Sequence, residues 1–315
     1  MQKKIAVLLM AHGAPESLND IGAYLQHIMK GRPPAQAIVD QVKERYALVG
    51  GKSPLLSITQ QQADALEVRL NDDHFERNVR FQVYVGMRHW HPFIADTVKA
   101  IVDDPPEALI ALSLAPQYSK LSVGAYNETL KKALTESGST LPVHWVKSWH
   151  NQPHLIDAFS DRLKAALEGY AEDERASVQI VFTAHSLPAE VLADGDPYPN
   201  EVMGTMTEIV KKCDLGPQGT RWRFGYQSRG FRPGEWLGPE VDDIIEDLGN
   251  RGEKNLLIVP IGFVSDHVEI LYDIDILYKD MAASKGIRLQ RTESLNIHPS
   301  FIKALSDLVC SKFRV

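Results

Sequence analysis

Two histidines close matching apolar runs. Residues 5–11 lead into His12, and residues 178–184 lead into His185, each through an Ala-His step followed by a small residue, an apolar residue and a proline. Imidazole changes protonation near neutral pH, and its neutral form ligates transition metals. A lone histidine at a strand end more often serves only to hydrogen-bond backbone, but the repetition of the context in two parts of the chain favours a chemical role.

A second feature is the segment Ser265-Asp266-His267-Val268-Glu269-Ile270-Leu271-Tyr272-Asp273-Ile274-Asp275. Ser265 or Asp266 is the predicted N-cap of a helix. At about 100° per residue, Asp266, Glu269, Asp273 and Asp280 share one stripe. Most acidic stripes are solvated faces, and acids favour a helix N-terminus. This helix, however, would begin at the carboxyl edge of a strand, where an acidic row can hand a cation inward. His185 with Glu269 is a mixed nitrogen and oxygen pair suited to a divalent first-row metal.

Other candidates are weaker. Gly50-Gly51-Lys52-Ser53-Pro54, preceded by Arg45-Tyr46, reads equally as a carboxylate- or phosphate-holding loop and as a turn between helices; it lacks Walker spacing. Tyr118, Tyr126 and Trp236-Leu237-Gly238-Pro239 are core pieces or an apolar platform. Arg88, His89 and His91 are a second polar group or helix-start residues, with the bland reading preferred for His91. Cys213, beside Lys211-Lys212, reads as structural.

Positioning these groups requires a repeated scaffold. His12 and His185 stand 173 residues apart (185 − 12), and the similarity extends downstream. Strand candidates at 80–85 and 220–226, helical patterns at 95–102 and 241–248, and apolar strands at 108–115 and 255–261 follow in the same order. Continuous apolar runs alternating with helical patterns predict buried parallel strands in βαβ units. The fold class is therefore α/β, with two similar Rossmann-like doubly wound halves at 1–150 and 151–315. The second carries a connecting helix over 153–170 and a terminal helix over 300–313. Ligands of such sheets bind beyond the carboxyl ends of strands, so the repeat predicts His12 and His185 on two walls of one cleft.

Composition narrows the class. The 315 residues include 44% hydrophobic and 24% charged side chains, an ordinary globular balance. A net charge of −7 argues against nucleic-acid binding. Two cysteines, Cys213 and Cys310, exclude a disulfide framework or a single-chain Cys-ligated cluster and fit a reducing cytoplasm. The longest apolar runs are too short for a membrane span. The N-terminal stretch mimics a signal peptide but lacks an A-x-A site, and serves better as a first strand. Neither half has G-x-G-x-x-G after its first strand, which disfavours a dinucleotide enzyme.

Several motifs in combination resemble the ferrochelatases, which insert Fe(II) into a porphyrin late in haem synthesis. They are Thr183-Ala184-His185-Ser186-Leu187-Pro188, Asp196-Pro197-Tyr198-Pro199, Tyr226-Gln227-Ser228, Trp236-Leu237-Gly238-Pro239 and Val264-Ser265-Asp266-His267-Val268-Glu269. The resemblance covers nearly the whole chain. It implies a chelatase fold around a porphyrin cleft, with His185 and Glu269 as catalytic metal-site residues and Asp273 as a further metal-site acid. It implies porphyrin contacts at Met29, Arg45, Tyr46, Ser53 and Tyr126, and at His12, whose position approaches the macrocycle face opposite His185. The sequence also departs from the family. His12 replaces a Tyr of Gram-positive-type members and a Met of mitochondrial ones, which suggests an axial ligand to product iron. Met29 replaces a common Arg, and Leu277 a common acid. Lys120 stands where cluster-bearing members have Cys, so the resemblance implies no iron–sulfur cluster and no permanent cofactor, Fe(II) being substrate.

The expected partners are porphyrin and haem, with at most peripheral membrane association and transient contact with another haem-pathway enzyme. The segments 51–54 and 122–127 lean towards coproporphyrin III over protoporphyrin IX. The rivals are a cobalt or nickel tetrapyrrole chelatase and a haem carrier without turnover.

Overall fold

The computed structural model describes residues 3–73, 78–217, 221–230 and 233–313, and divides the chain into two compact units, Met1–Trp149 with Asn296–Val315, and His150–Leu295. Thr220, one end of a predicted strand, lies outside the described residues.

In the first unit, β1 (Lys3–Ala11) is buried from Ile5 onward. Covered on both faces, it has no use for polar alternation. It pairs in parallel with β2 (Val79–Met87) and β3 (Ala108–Ser113), and β4 (Val143–Val146) extends the sheet to the order β2-β1-β3-β4. The helices are α1 (Ile21–Ile28), α2 (Gln36–Leu48), α3 (Leu55–Asp73), α4 (Ile94–Asp103) and α5 (Ala125–Glu136), the last entered through a π-helical turn at Lys120–Gly124. One face is filled by Leu8, Met10, Ile94, Val98, Ile101 and Leu130. Strand β2 is an edge, and α3 side chains bond its backbone at two residues. Glu67 accepts the Val83 N–H at 2.7 Å, and Asn71 accepts from and donates to the Phe81 backbone at 2.9 and 3.0 Å. Such cover blunts the edge as a template for another strand.

The terminal helix α11 (Pro299–Lys312) also belongs to this unit, against the expectation that placed it in the second half. It packs on α3 and β4, its Phe301 ring 6.1 Å from Trp149. Just before it, Gln62 of α3 donates to the Asn296 carbonyl at 2.9 Å. An amphipathic helix advertises an apolar face but not which sheet it covers.

The second unit repeats the plan. Strands β5 (Gln179–His185), β6 (Trp222–Gln227), β7 (Asn255–Pro260) and β8 (Arg288–Arg291) form a parallel sheet in the order β6-β5-β7-β8. Helices α6 (Pro153–Glu168), α7 (Glu190–Ala193), α8 (Tyr198–Lys212), α9 (Val241–Asn250) and α10 (Lys279–Ser284) accompany it. The core includes Val241, Ile245, Leu248, Ile258, Ile270 and Ile274. Leading into α10 is a π-helical segment, Ile270–Tyr278. The predicted α/β class and strand sequence hold, with ends shifted by a few residues. Among the described residues, no helix is long and apolar enough to cross a membrane.

Candidate functional site

The carboxyl edge of the second sheet assembles the candidate metal residues. His185 ends β5, in register with Gln227 on β6. Beyond β7 the chain turns through Gly262, whose N–H donates to the Thr183 carbonyl at 3.1 Å. A Cβ at 262 would sit 2.8 Å from the Ala184 Cα, so only glycine lets the 263–269 segment pass this close to the end of β5. Phe263 then lies against the His267 ring, 4.6 Å between centroids, and 6.4 Å from the His185 ring.

His185 and His267 are oriented alike. The Nδ1 of His185 bonds the Ser186 carbonyl, and the Nδ1 of His267 bonds the Ser265 carbonyl at 3.2 Å. A carbonyl only accepts, so each Nδ1 carries a proton. Each Nε2 then faces Glu269: His185 Nε2 lies 3.7 Å from Oε1, and His267 Nε2 lies 3.5 Å from Oε2. With neutral imidazoles these are contacts between acceptors. They become favourable only when a proton or a metal cation stands between nitrogen and oxygen. Burial disfavours the His185 imidazolium, but the Glu269 charge and hydrogen bond, the Ser186 carbonyl and Asp273 outweigh it and raise its pKa above the ordinary value of 6.5. Burial likewise opposes the Glu269 carboxylate, yet His185 and His267 hold its pKa well below 4.5. Backbone carbonyls thus fix both histidine tautomers, and both Nε2 atoms are aimed at one carboxylate.

Asp273 is buried and accepts a hydrogen bond from the Ser228 hydroxyl. Ser228 has a φ of 60°, a left-handed conformation uncommon for a residue with a Cβ. Its hydroxyl also accepts from the Gln227 amide at 3.2 Å, and the Gln227 carbonyl takes the Thr183 hydroxyl. A continuous polar chain thus links Asp273 to the strand that carries His185. Tyr198 adds a hydrogen bond to the His185 carbonyl at 2.9 Å.

The acidic stripe differs from its prediction. The helical run starts only at Val268, so neither Ser265 nor Asp266 is its N-cap. Asp266 instead pairs with Arg291 at 3.1 Å and accepts from the Ser294 hydroxyl at 2.8 Å. Arg291 also grips Asp275 through Nε and Nη2 at 2.7 and 2.9 Å. Asp280 is exposed. The run from 270 to 278 is π-helical, which changes the angular step assumed for the stripe. Among the described residues no three His, Cys, Asp or Glu side chains converge on one point. Asp273, engaged by Ser228, stands apart from the open pair His185–Glu269.

In the first unit, exposed His12 follows β1, and its ring lies 4.6 Å from His89 and 6.4 Å from Tyr24. Burial first, then His12, Arg88 and His27, push His89 down to about 2, so it is neutral. Buried Tyr126 lies on α5 beneath Arg88, whose guanidinium is 5.9 Å from the ring centre. Half-buried Met29 caps α1, and Arg45 and buried Tyr46 lie on α2. Ser53 is 4% exposed; its N–H reaches the Pro15 carbonyl at 3.3 Å and its hydroxyl accepts from Leu55. Tyr46 accepts from Gly51, where φ is +83°, so the Gly-rich turn joins α2 to the Ser53 segment.

The ferrochelatase family model matches residues 4–313. The chain belongs to the ferrochelatase family. Ferrochelatases insert iron into a porphyrin in haem synthesis, and this chain is an enzyme of that class. It is 39% identical to the ferrochelatase of Deinococcus radiodurans over 98% of this chain and 96% of that one. It is 36% identical to the coproporphyrin III ferrochelatase of a Geobacillus species over 100% and 99%. In fold it resembles SirB from Bacillus subtilis determined with Fe3+, at a TM-score of 0.58 and 13% identity over 98% of this chain and 95% of that one. The CbiX siroheme-biosynthesis enzyme gives 0.56 at 12% identity over 98% and 100%.

Three residues around His185 and Glu269 carry no recognisable role in the sequence alone: His267, Ser228 and Arg291. His267 and Ser228 stood inside quoted motifs, but a second imidazole on Glu269 and a left-handed serine under Asp273 exist only in three dimensions. Arg291 gave no local signal.

Proposed function

We propose that this chain inserts Fe(II) into coproporphyrin III, with His185 and Glu269 receiving the metal and the departing pyrrole protons. The carrying observation is the His185–Glu269 pair with His267 beside it: two imidazole Nε2 atoms face the two oxygens of one carboxylate, with their Nδ1 protons tied to backbone. Insertion exchanges two N–H protons for one divalent ion, so the site must hold a cation, take up protons and then release the ion. A pair rather than a closed cage suits a metal that is cargo. Asp273 is a secondary acid, held by Ser228 near the same edge. Iron bound to His185 requires the neutral imidazole, so insertion falls as that ring protonates.

The first unit supplies the macrocycle contacts, with Arg45, Tyr46, Ser53, Tyr126 and Met29 assigned to the porphyrin periphery and His12 to its metal as an axial ligand. Relatives named for coproporphyrin III, at 36–38% identity along essentially the full chain, support that substrate over protoporphyrin IX. The reading includes cytoplasmic placement, no resident cofactor, at most peripheral membrane contact, and transient contact with a neighbouring haem-pathway enzyme.

Anaerobic insertion assays with both porphyrins and with Fe(II), Co(II) and Ni(II) test it. Faster iron insertion into coproporphyrin III supports it. A preference for protoporphyrin IX overturns the substrate, a preference for cobalt or nickel overturns the metal, and tight haem binding without turnover overturns the enzyme.

A further inference from the structure

Arg88 follows β2 by one residue at the carboxyl edge of the first sheet. Its N–H bonds the Ala11 carbonyl beside His12, and the next residue, His89, sets its ring tilted against that of His12. The guanidinium is partly buried and held on two sides. Nη1 donates to the Leu121 carbonyl at 3.1 Å, and the plane lies near the Tyr126 ring, 5.9 Å from its centre. Both partners are neutral. Among the described residues no carboxylate pairs with Arg88, and Nε and Nη2 reach no protein acceptor. Burial lowers its pKa, opposed only by Tyr126, so no acid compensates the charge.

A half-buried cation without a counter-ion is costly unless something else supplies the anion. Arginine presents two edges to a carboxylate, and the Nε–Nη2 edge is one of them. Here Nη1 is pinned and that edge is free. A planar fork restrained by a carbonyl and an aromatic ring has little side-chain entropy left to lose on binding.

We propose that Arg88 is a porphyrin-binding residue that grips one peripheral carboxylate of the macrocycle through its Nε–Nη2 edge, next to Tyr126. The inference deepens the reading of a porphyrin substrate given above and rests on it. It adds Arg88 to the contacts assigned there, and a porphyrin with four propionates gives such a fork more acceptors than one with two.

The test is fluorescence titration of the metal-free enzyme with coproporphyrin III and with its neutral tetraamide, for wild type, Arg88→Met and Arg88→Lys. Methionine keeps the apolar stem, and circular dichroism checks that the fold persists. The expected result is a loss of about tenfold or more in affinity for the tetra-acid in Arg88→Met, an intermediate loss in Arg88→Lys, and little change for the tetraamide. An equal loss for both ligands would make Arg88 merely structural and overturn the proposal, as would no loss for either. Wild-type titration with protoporphyrin IX and its diamide separates the two claims. A preference for protoporphyrin IX defeats the coproporphyrin assignment, while the acid-against-amide comparison still decides Arg88.

Discussion

His185 Nε2 stands 3.7 Å from Glu269 Oε1, with the Nδ1 proton of the histidine committed to the Ser186 carbonyl. That relationship fixes the tautomer, aims a lone pair at a carboxylate, and leaves the contact satisfied only by a positive charge. The same device recurs on the other carboxylate oxygen through His267. The two imidazoles need not contribute equally. His185 ends a central strand whose position is set by β6 and β7, whereas His267 sits in the loop before the π-helical segment.

His267→Ala is therefore expected to raise the KM for metal by about tenfold, the scale seen when outer ligand supports are removed, and to leave kcat closer to wild type than His185→Ala does. Steady-state kinetics with varied Fe(II) at saturating porphyrin measures the split.

Arg291 ties Asp266, before Glu269, to Asp275, after it, so it holds both flanks of the carboxylate proposed to receive the metal. Lysine keeps the charge but not the fork. In Arg291→Lys the KM for Fe(II) should rise about tenfold, with porphyrin affinity unchanged. Weakened porphyrin binding of similar size would show that the clamp serves the general fold instead.

Gly262 allows the turn after β7 to pass Ala184 at a distance no Cβ tolerates. Gly262→Ala is expected to cost about 1–3 kcal/mol by overpacking and to depress insertion, because it pushes the Glu269 segment away from β5. Urea unfolding and a rate assay on the same preparation check both.

His89 makes a pH prediction with a definite sign. Its folded pKa, about 2, lies below the ordinary 6.5. Below 6.5 the unfolded chain binds a proton that the folded one does not. This contribution to stability is complete above about 6.5 and is lost progressively as pH falls from there towards about 2, at up to about 1.4 kcal/mol per pH unit. His89→Gln should flatten the acid limb of a denaturation-midpoint profile between pH 6.5 and 5. A limb unchanged by the substitution would contradict a half-buried histidine held neutral.

The strands were legible because burial on both faces writes a continuous apolar run, and β1 and β5 are such runs. The duplicated Ala-His step marked equivalent sheet edges, and His185 and Glu269 do come together. The terminal helix carries an apolar face that fits either sheet in principle, and only packing of Phe301 beside Trp149 decides. The acidic stripe assumes an α-helical period that the π-helical segment does not follow, and Asp266 is paired with Arg291, 25 residues further along the chain. Ser228 was invisible as a support for Asp273 because its left-handed backbone has no sequence signature outside glycine and asparagine.

One imidazole at the end of β5 and one carboxylate beyond β7 are proposed to carry metal insertion. Anaerobic stopped-flow insertion of Fe(II) into coproporphyrin III by His185→Ala and Glu269→Gln, with porphyrin affinity measured in parallel, tests it most directly. The account predicts rates reduced at least about 100-fold in both variants while porphyrin still binds as in wild type. Either variant inserting iron at the wild-type rate would contradict it.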